Sequence, residues 1–387
     1  MLGRVDFKFP PLSFGYLLVF SAFLLLSFNA LFIEVFQIED GAQKNITRLV
    51  ALLLIVASVA FRRPMIDVGL VVAILLLSSA ALVVVNFDAV AVVYALLVVV
   101  IARSYGYSPT LKALYAVSFI VFLMVFILLA LGVTENVVQE FRERHTYGMN
   151  GIGGPTLFYN FLFGFLVLGF VYVVKAGKSI NRYSLVTLLL AYYFFDKTDV
   201  RGGFFAYILV VVSYYFFPLV SRFFLFSSLM AYFPLIFLLM AAAVGVFLND
   251  DYWNILLSNR PSLYADFIEG LGYLEFFLGT SVKAFDLVSI VDNSYIHLYM
   301  VGGVFFFAYF CIRFRRCVRM LVDRKDRSNF AFIIGSSAYM FTESLLVRVE
   351  NPFVIYYWFI VFGGLDTLLR DGSQLDIYVE EFKDFKT

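Results

Sequence analysis

LKALYAVSFIVFLMVFILLALGV, residues 111–133, contains one charge, Lys112, close to its start. About 20 apolar residues in a helix cross the roughly 30 Å hydrocarbon layer of a bilayer, and a helix is the element that satisfies its own backbone hydrogen bonds there. The run therefore predicts a membrane span. Further apolar runs fall at 12–36, 46–61, 65–86, 88–102, 154–174, 184–196, 203–220, 223–248, 294–312, 330–347 and 353–370, making twelve with 111–133. The short ones, such as 184–196, predict tilted or broken helices near a buried site.

Composition agrees. The 387 residues are 62% hydrophobic, 19% aromatic and 15% charged, with mean hydropathy +0.90, whereas a soluble domain carries about 45–50% apolar and about 25% charged residues. The expected fold is an all-α polytopic membrane protein with about 12 transmembrane helices. Twelve spans use roughly 240 positions, which leaves no room for a large soluble domain, and no internal repeat or linker divides residues 1–387, read as a single membrane domain. The net charge of +1 gives no nucleic-acid footprint and no acidic tail. Cys311 and Cys317 fit neither a zinc nor a disulfide framework, and no metal or other cofactor is expected.

Orientation follows from Lys and Arg. With the termini on the cytoplasmic side, that side holds 20 of the 29 cations, including seven between Arg313 and Arg327, and the opposite side holds 9. Both termini are thus expected in the cytoplasm, with the first run retained as an anchor. Two polar segments of some size then face outward, 134–153 and 249–293, and the second is too long for a simple turn. Within it RPSLYADFIEGLGYLEFFLGT, 260–280, predicts a helix with Pro261 near its first position, interrupted at Gly270 and Gly272. Its apolar members, including Leu263, Phe267, Leu271 and Phe277, suit short helices lying at the membrane interface.

The nine outward cations include the arginines Arg142, Arg144, Arg201, Arg260 and Arg348. Arg presents a planar fork suited to phosphate. Arg201 lies in DKTDVRGG, 196–203, where Asp199, two glycines and a new helix N-terminus meet, and such a start offers free N–H groups to an anion. The alternative is that these arginines reach headgroups or pair with Asp196 and Asp199. In VDNSYIHLYMVGG, 291–303, Asp292 either caps the helix that follows or serves as a general base whose pKa a low dielectric raises. His297 lies about a turn further in and reads first as a hydrogen-bonded structural group; His145 stands beside Arg144 in the outer loop. In FTESLLVRVENP, 341–352, Glu343 is a carboxylate at the membrane edge, either functional or paired with an arginine, with Arg348 nearby.

Taken in order, these segments resemble the bacterial polysaccharide polymerases of the Wzy type, in the superfamily that includes the O-antigen ligases. RERHTYGMNGIGGPT, 142–156, is similar to that family's Arg followed by a Gly-rich turn, and Arg142 and Gly153 keep its spacing. DKTDVRGG resembles the Arg-Gly pair that opens a helix. SNRPSLYADFIEGLGYLEFFLGTSV, 258–282, is similar to the large outer loop, VDNSYIHLYMVGG to the Asp-Asn segment closing it, and FTESLL with ENP to the late Glu and Asn-Pro. The sequence departs from the pattern at Gly154, Pro155 and Thr156, where many members have His-Pro-Asn, and in the ligases a His occupies the place of Asp292.

The resemblance implies a GT-C-like glycosyltransferase of the bacterial cytoplasmic (inner) membrane. It would join oligosaccharide repeat units carried on undecaprenyl pyrophosphate at the outer face. Arg201 and Arg260 would bind the pyrophosphate and Asp292 would be the base. Arg142, Arg144, His145, Asp199, Asn293, His297, Glu343 and Arg348 would contact substrate. The partners would be the lipid-linked oligosaccharide and the bilayer, with a chain-length regulator as a further partner the resemblance allows and no nucleic acid. A twelve-helix transporter or flippase, an O-antigen-ligase-like transferase and a non-enzymatic membrane subunit are the alternatives.

Overall fold

A computed structural model describes residues 13–36, 41–64, 66, 68–84, 87–139, 144–147, 154–257, 259–269, 271–280, 292–348 and 350–364. The described residues are all-α apart from one small hairpin. The first helices are α1 (Phe14–Phe36), α2 (Gly41–Ser58), α3 (Val68–Val84), α4 (Phe87–Tyr105) and α5 (Tyr107–Ala130). Strands β1 (Val138–Gln139) and β2 (Arg144–His145) pair antiparallel, Val138 opposite His145. Then come α6 (Gly154–Lys175), α7 (Ile180–Thr198), α8 (Arg201–Val220), α9 (Phe224–Met230) and α10 (Phe233–Phe247). The 249–293 segment contributes α11 (Asp251–Leu256), α12 (Arg260–Glu269) and α13 (Tyr273–Leu278), and the chain continues with α14 (Ser294–Asp323), α15 (Arg327–Thr342) and α16 (Pro352–Phe359), the last running into a π turn.

Every one of the twelve apolar runs thus forms a helix over most of its described length. Among the described residues five helices, α1, α5, α6, α8 and α14, are long and apolar enough to cross a membrane. A sixth candidate is the pair α9 and α10, which bends by 64° at its break. The run 223–248 read as one helix; Pro234, at the start of α10, explains the interruption, because proline has no N–H to donate and is at home in the first turn of a new helix.

The described helices fall into two compact units. One comprises residues 1–65, 98–211 and 350–387. In it α1 packs on α2 and α5, α6 on α5 and α7, and α16 on α5 and α6. Phe158, Phe163 and Phe170 of α6 are fully buried, and Tyr115 of α5 stacks on Tyr172 with ring centroids 5.0 Å apart. Asn351 caps α16 through Phe353 N–H and donates 3.2 Å to the Asn160 carbonyl. Glu350 accepts from Arg48 Nε at 3.0 Å, so the polar stretch before α16 is tied to α2.

The other unit comprises residues 66–97 and 212–349. Its axis is α14, against which α3, α9, α10, α13 and α15 pack. Gly303 interrupts α14 with φ 61° and ψ −171°, a conformation open essentially to glycine alone. A Cβ there would meet the Phe277 carbonyl of α13. The glycine thus sets both the bend of α14 and the seat of α13. Helices α12 and α10 approach as closely: a Cβ on Gly245 would come within 2.8 Å of the Ala265 nitrogen. That approach buries Tyr264 and Phe267. Helix α12 turns one face onto α10, while Leu274 and Phe277 of α13 remain about half exposed.

Candidate functional site

The site in the second unit is built around the first turn of α14. Asn293, not Asp292, is its N-cap: the Asn293 side-chain oxygen accepts from the Tyr295 N–H at 2.9 Å and the Ile296 N–H at 3.2 Å. The capping alternative for Asp292 is therefore overturned, since a neighbour satisfies the orphan donors of that turn. Ser294 reinforces the position. Its hydroxyl donates to the Glu343 carbonyl at 2.6 Å and accepts from Leu345 N–H at 2.7 Å, so the chain leaving α15 is stitched across the start of α14. His297 Nδ1 lies 2.5 Å from Ser344 Oγ, in keeping with its reading as a hydrogen-bonded group.

Asp292 faces Arg260. Arg260 opens α12, and its Nη2 donates 3.0 Å to the Thr342 carbonyl at the end of α15 while lying 3.9 Å from Asp292 Oδ2. The Arg260 Nε–H is buried and has no hydrogen-bond partner among the described residues. An unspent N–H on a cation is what an anionic ligand would take up, because a buried donor left unmade is costly. Burial raises the Asp292 carboxyl above its ordinary 3.8, and Arg260 and then Arg348 pull it back down. Tyr264 completes the group. One turn along α12 from Arg260 and 3% exposed, it lies beside Asn293 and within electrostatic reach of Arg260, Asp292 and Glu343; burial raises its phenol above the usual range.

The first unit assembles a second group at the C-terminal end of α7. Arg144 Nε donates 2.8 Å to the Thr198 carbonyl, placing a cation where a helix C-terminus carries partial negative charge. His145 Nδ1 lies 2.8 Å from Asn136 Nδ2. Asp199 closes α7 in the left-handed region, φ 49°. Arg201 opens α8 and pairs with Asp199 at 3.0 Å, its side chain 63% exposed. The pairing alternative for Arg201 is thus what the structure contains. Tyr147 stacks on Phe158 at 4.5 Å, and burial, with Tyr193 beside it, pushes its phenol up to about 12.

Arg260, Asp292, Asn293, His297, Glu343 and Arg348 accordingly belong to one unit, and Arg144, His145, Asp199 and Arg201 to the other. Arg142 and the Gly-rich turn 148–153 lie outside the described residues. Sequence reasoning passed over Tyr264, Ser294 and Ser344. Tyr264 carried a usable signal, lying four residues after Arg260 and so on the same helix face. The two serines carried none, because their roles depend on how α14 and α15 meet. Among the described residues no group of three or more His, Cys, Asp or Glu could hold a metal ion. No protein-family model, curated protein or solved structure matches the chain.

Proposed function

We propose that the chain is a membrane glycosyltransferase that polymerises oligosaccharide repeat units carried on undecaprenyl pyrophosphate. In this proposal its helices form a GT-C-like set of twelve crossings in the inner membrane, with both termini cytoplasmic and the 249–293 segment outside. The observation that carries the reading is the Arg260–Asp292 pair, a half-buried carboxylate relieved of capping and set against a guanidinium with an unspent N–H.

The chemistry asks for little more. The acceptor hydroxyl gives its proton to an Asp292 oxygen as its own oxygen bonds to the anomeric carbon. The bond from that carbon to the pyrophosphate oxygen breaks, and the lipid pyrophosphate departs with the electron pair. Negative charge grows on that oxygen, and Arg260 is placed to meet it. Tyr264 orients the pair, and Arg348 supplies a second cation. Arg201, paired with Asp199 in the first unit, takes no part in this step.

The test is polymer formation from a defined lipid-linked repeat unit by purified protein in proteoliposomes. Arg260→Ala should lower the rate by a factor on the order of 10²–10³, as loss of one charge-stabilising donor does in other transferring sites. Undiminished polymer from this variant would remove Arg260 from the site. A transporter or flippase is the second reading, favoured by the break between α9 and α10 and by the interruption at Gly303, since discontinuous helices mark transport sites. It predicts movement of the lipid-linked unit across the bilayer with no polymer formed. An O-antigen-ligase-like transferase predicts transfer to a different acceptor.

A further inference from the structure

One face of α14 changes character within a single turn. Phe305, Ala308, Ile312, Arg316, Arg319 and Asp323 follow one another at spacings of three and four, and all are exposed, so they form one stripe along the helix. Phe305, whose ring also stacks on Phe277 of α13 at 5.6 Å, and Ile312 are 54% and 60% exposed, as suits side chains against lipid tails. Four residues later the same face presents Arg316 and then Arg319. The opposite face, with Phe306, Phe310, Phe314, Cys317 and Leu321, is buried. At 1.5 Å a residue the helix from Ser294 to Ile312 is at most about 28 Å long, close to the thickness of the hydrocarbon layer. With Ser294 at the outer boundary, as in the topology proposed above, Arg316 falls where phosphate headgroups lie on the other side.

The neighbouring cations divide into two sets. Arg315 turns inward, its guanidinium 5.0 Å from the centre of the Tyr232 ring. Lys325, in the turn after α14, and Arg327, the first residue of α15, are exposed. Asp326 between them is buried, and its carboxylate is engaged in capping α15 through Asn329 N–H. Asp323 is the exposed carboxylate of the stripe, which thus carries two exposed arginines and one exposed acid.

We infer that Arg316 and Arg319 form a binding site for the phosphate headgroup of an anionic phospholipid in the leaflet at this end of α14. The occupant is a lipid because the apolar stripe Phe305–Ile312 runs without a break into the guanidinium pair. One molecule can then lay its acyl chain along the first and its phosphate on the second. Cations beside an anionic surface contribute about 1 kcal/mol each, so loss of two corresponds to a preference weakened about 30-fold.

The full chain, reconstituted in nanodiscs of phosphatidylcholine with a graded fraction of phosphatidylglycerol, is read by native mass spectrometry for retained lipid and by thermal unfolding. The wild type should keep phosphatidylglycerol in preference to phosphatidylcholine and gain thermal stability as its fraction rises. Arg316→Gln with Arg319→Gln should lose both effects. Equal retention by this variant would overturn the proposal. So would displacement of the lipid by inorganic phosphate, which would mark a site for a soluble anion. Should the double variant fail to fold, the wild type alone decides: retention that does not fall from low to high salt contradicts a charge-driven headgroup site.

Discussion

Two adjacent residues, each able to cap a helix, take different work at the start of α14. Asn293 is fully buried and spends its side-chain oxygen on two backbone N–H groups, while Asp292 is directed to Arg260. Asn and Asp are near-equal caps, so the sequence alone could not apportion them; the choice follows from how Ser294 and Glu343 stitch the two chains together. Asn293→Ala should therefore cost about 0.5–2 kcal/mol of stability, readable as a lower unfolding temperature. Asp292→Asn should behave in the opposite way. Because burial raises the folded carboxyl above 3.8, the native state holds its proton more tightly than the unfolded one, and stability falls as pH rises from the unfolded value through the folded one. Asp292→Asn removes that loss, so the variant should unfold at a temperature equal to or above wild type at neutral pH while making no polymer. A marked drop in unfolding temperature would assign Asp292 a structural role. As a base it must be ionised, so polymerisation should decline as pH falls through its raised pKa. Arg260→Gln, which removes the larger of the two groups pulling that pKa down, should shift the residual activity's acid limb to higher pH.

Helices were the most legible level of organisation, because apolar runs bounded by polar residues leave little else possible in lipid. The interruptions were less so. Pro234 breaks the run 223–248 without any loss of apolar character, and hydropathy does not register it. The outer segment was readable in outline: Pro261 falls in the first turn of α12, and Gly272 caps α13. What covers α12 was not, since an amphipathic pattern identifies a face and says nothing of its partner. Gly245, unremarkable in the sequence, makes room for that partner on α10. Gly303 is the element-scale test. Alanine there meets both a forbidden backbone conformation and the Phe277 carbonyl, whereas Gly132, at φ 67°, has open space around a Cβ. Gly303→Ala should lower the membrane abundance and unfolding temperature of the purified protein by clearly more than Gly132→Ala. Equal effects would mean that α13 is not seated through Gly303.

The contents of each unit depend on pairings between helices distant in the chain, as when α3 meets α14 or α16 meets α5, and periodicity within one helix cannot specify these. The same limit applied to the arginines, which the sequence gathers on one side of a membrane by alternation alone. That alternation predicts that a periplasm-dependent reporter fused after Asp250 is active and one fused after Gly177 is inactive; the reverse pattern would invert the proposed topology and place the Arg260–Asp292 pair on the wrong face for an outer-leaflet reaction. The account as a whole is tested most directly by supplying a chemically defined undecaprenyl-pyrophosphate repeat unit to the purified protein in proteoliposomes and resolving the products by length. It predicts a ladder of lengthening glycans from the wild type, with undecaprenyl pyrophosphate released at each addition, and none from Asp292→Asn. Full-length ladders from that variant, or intact single units with the wild type, would contradict it.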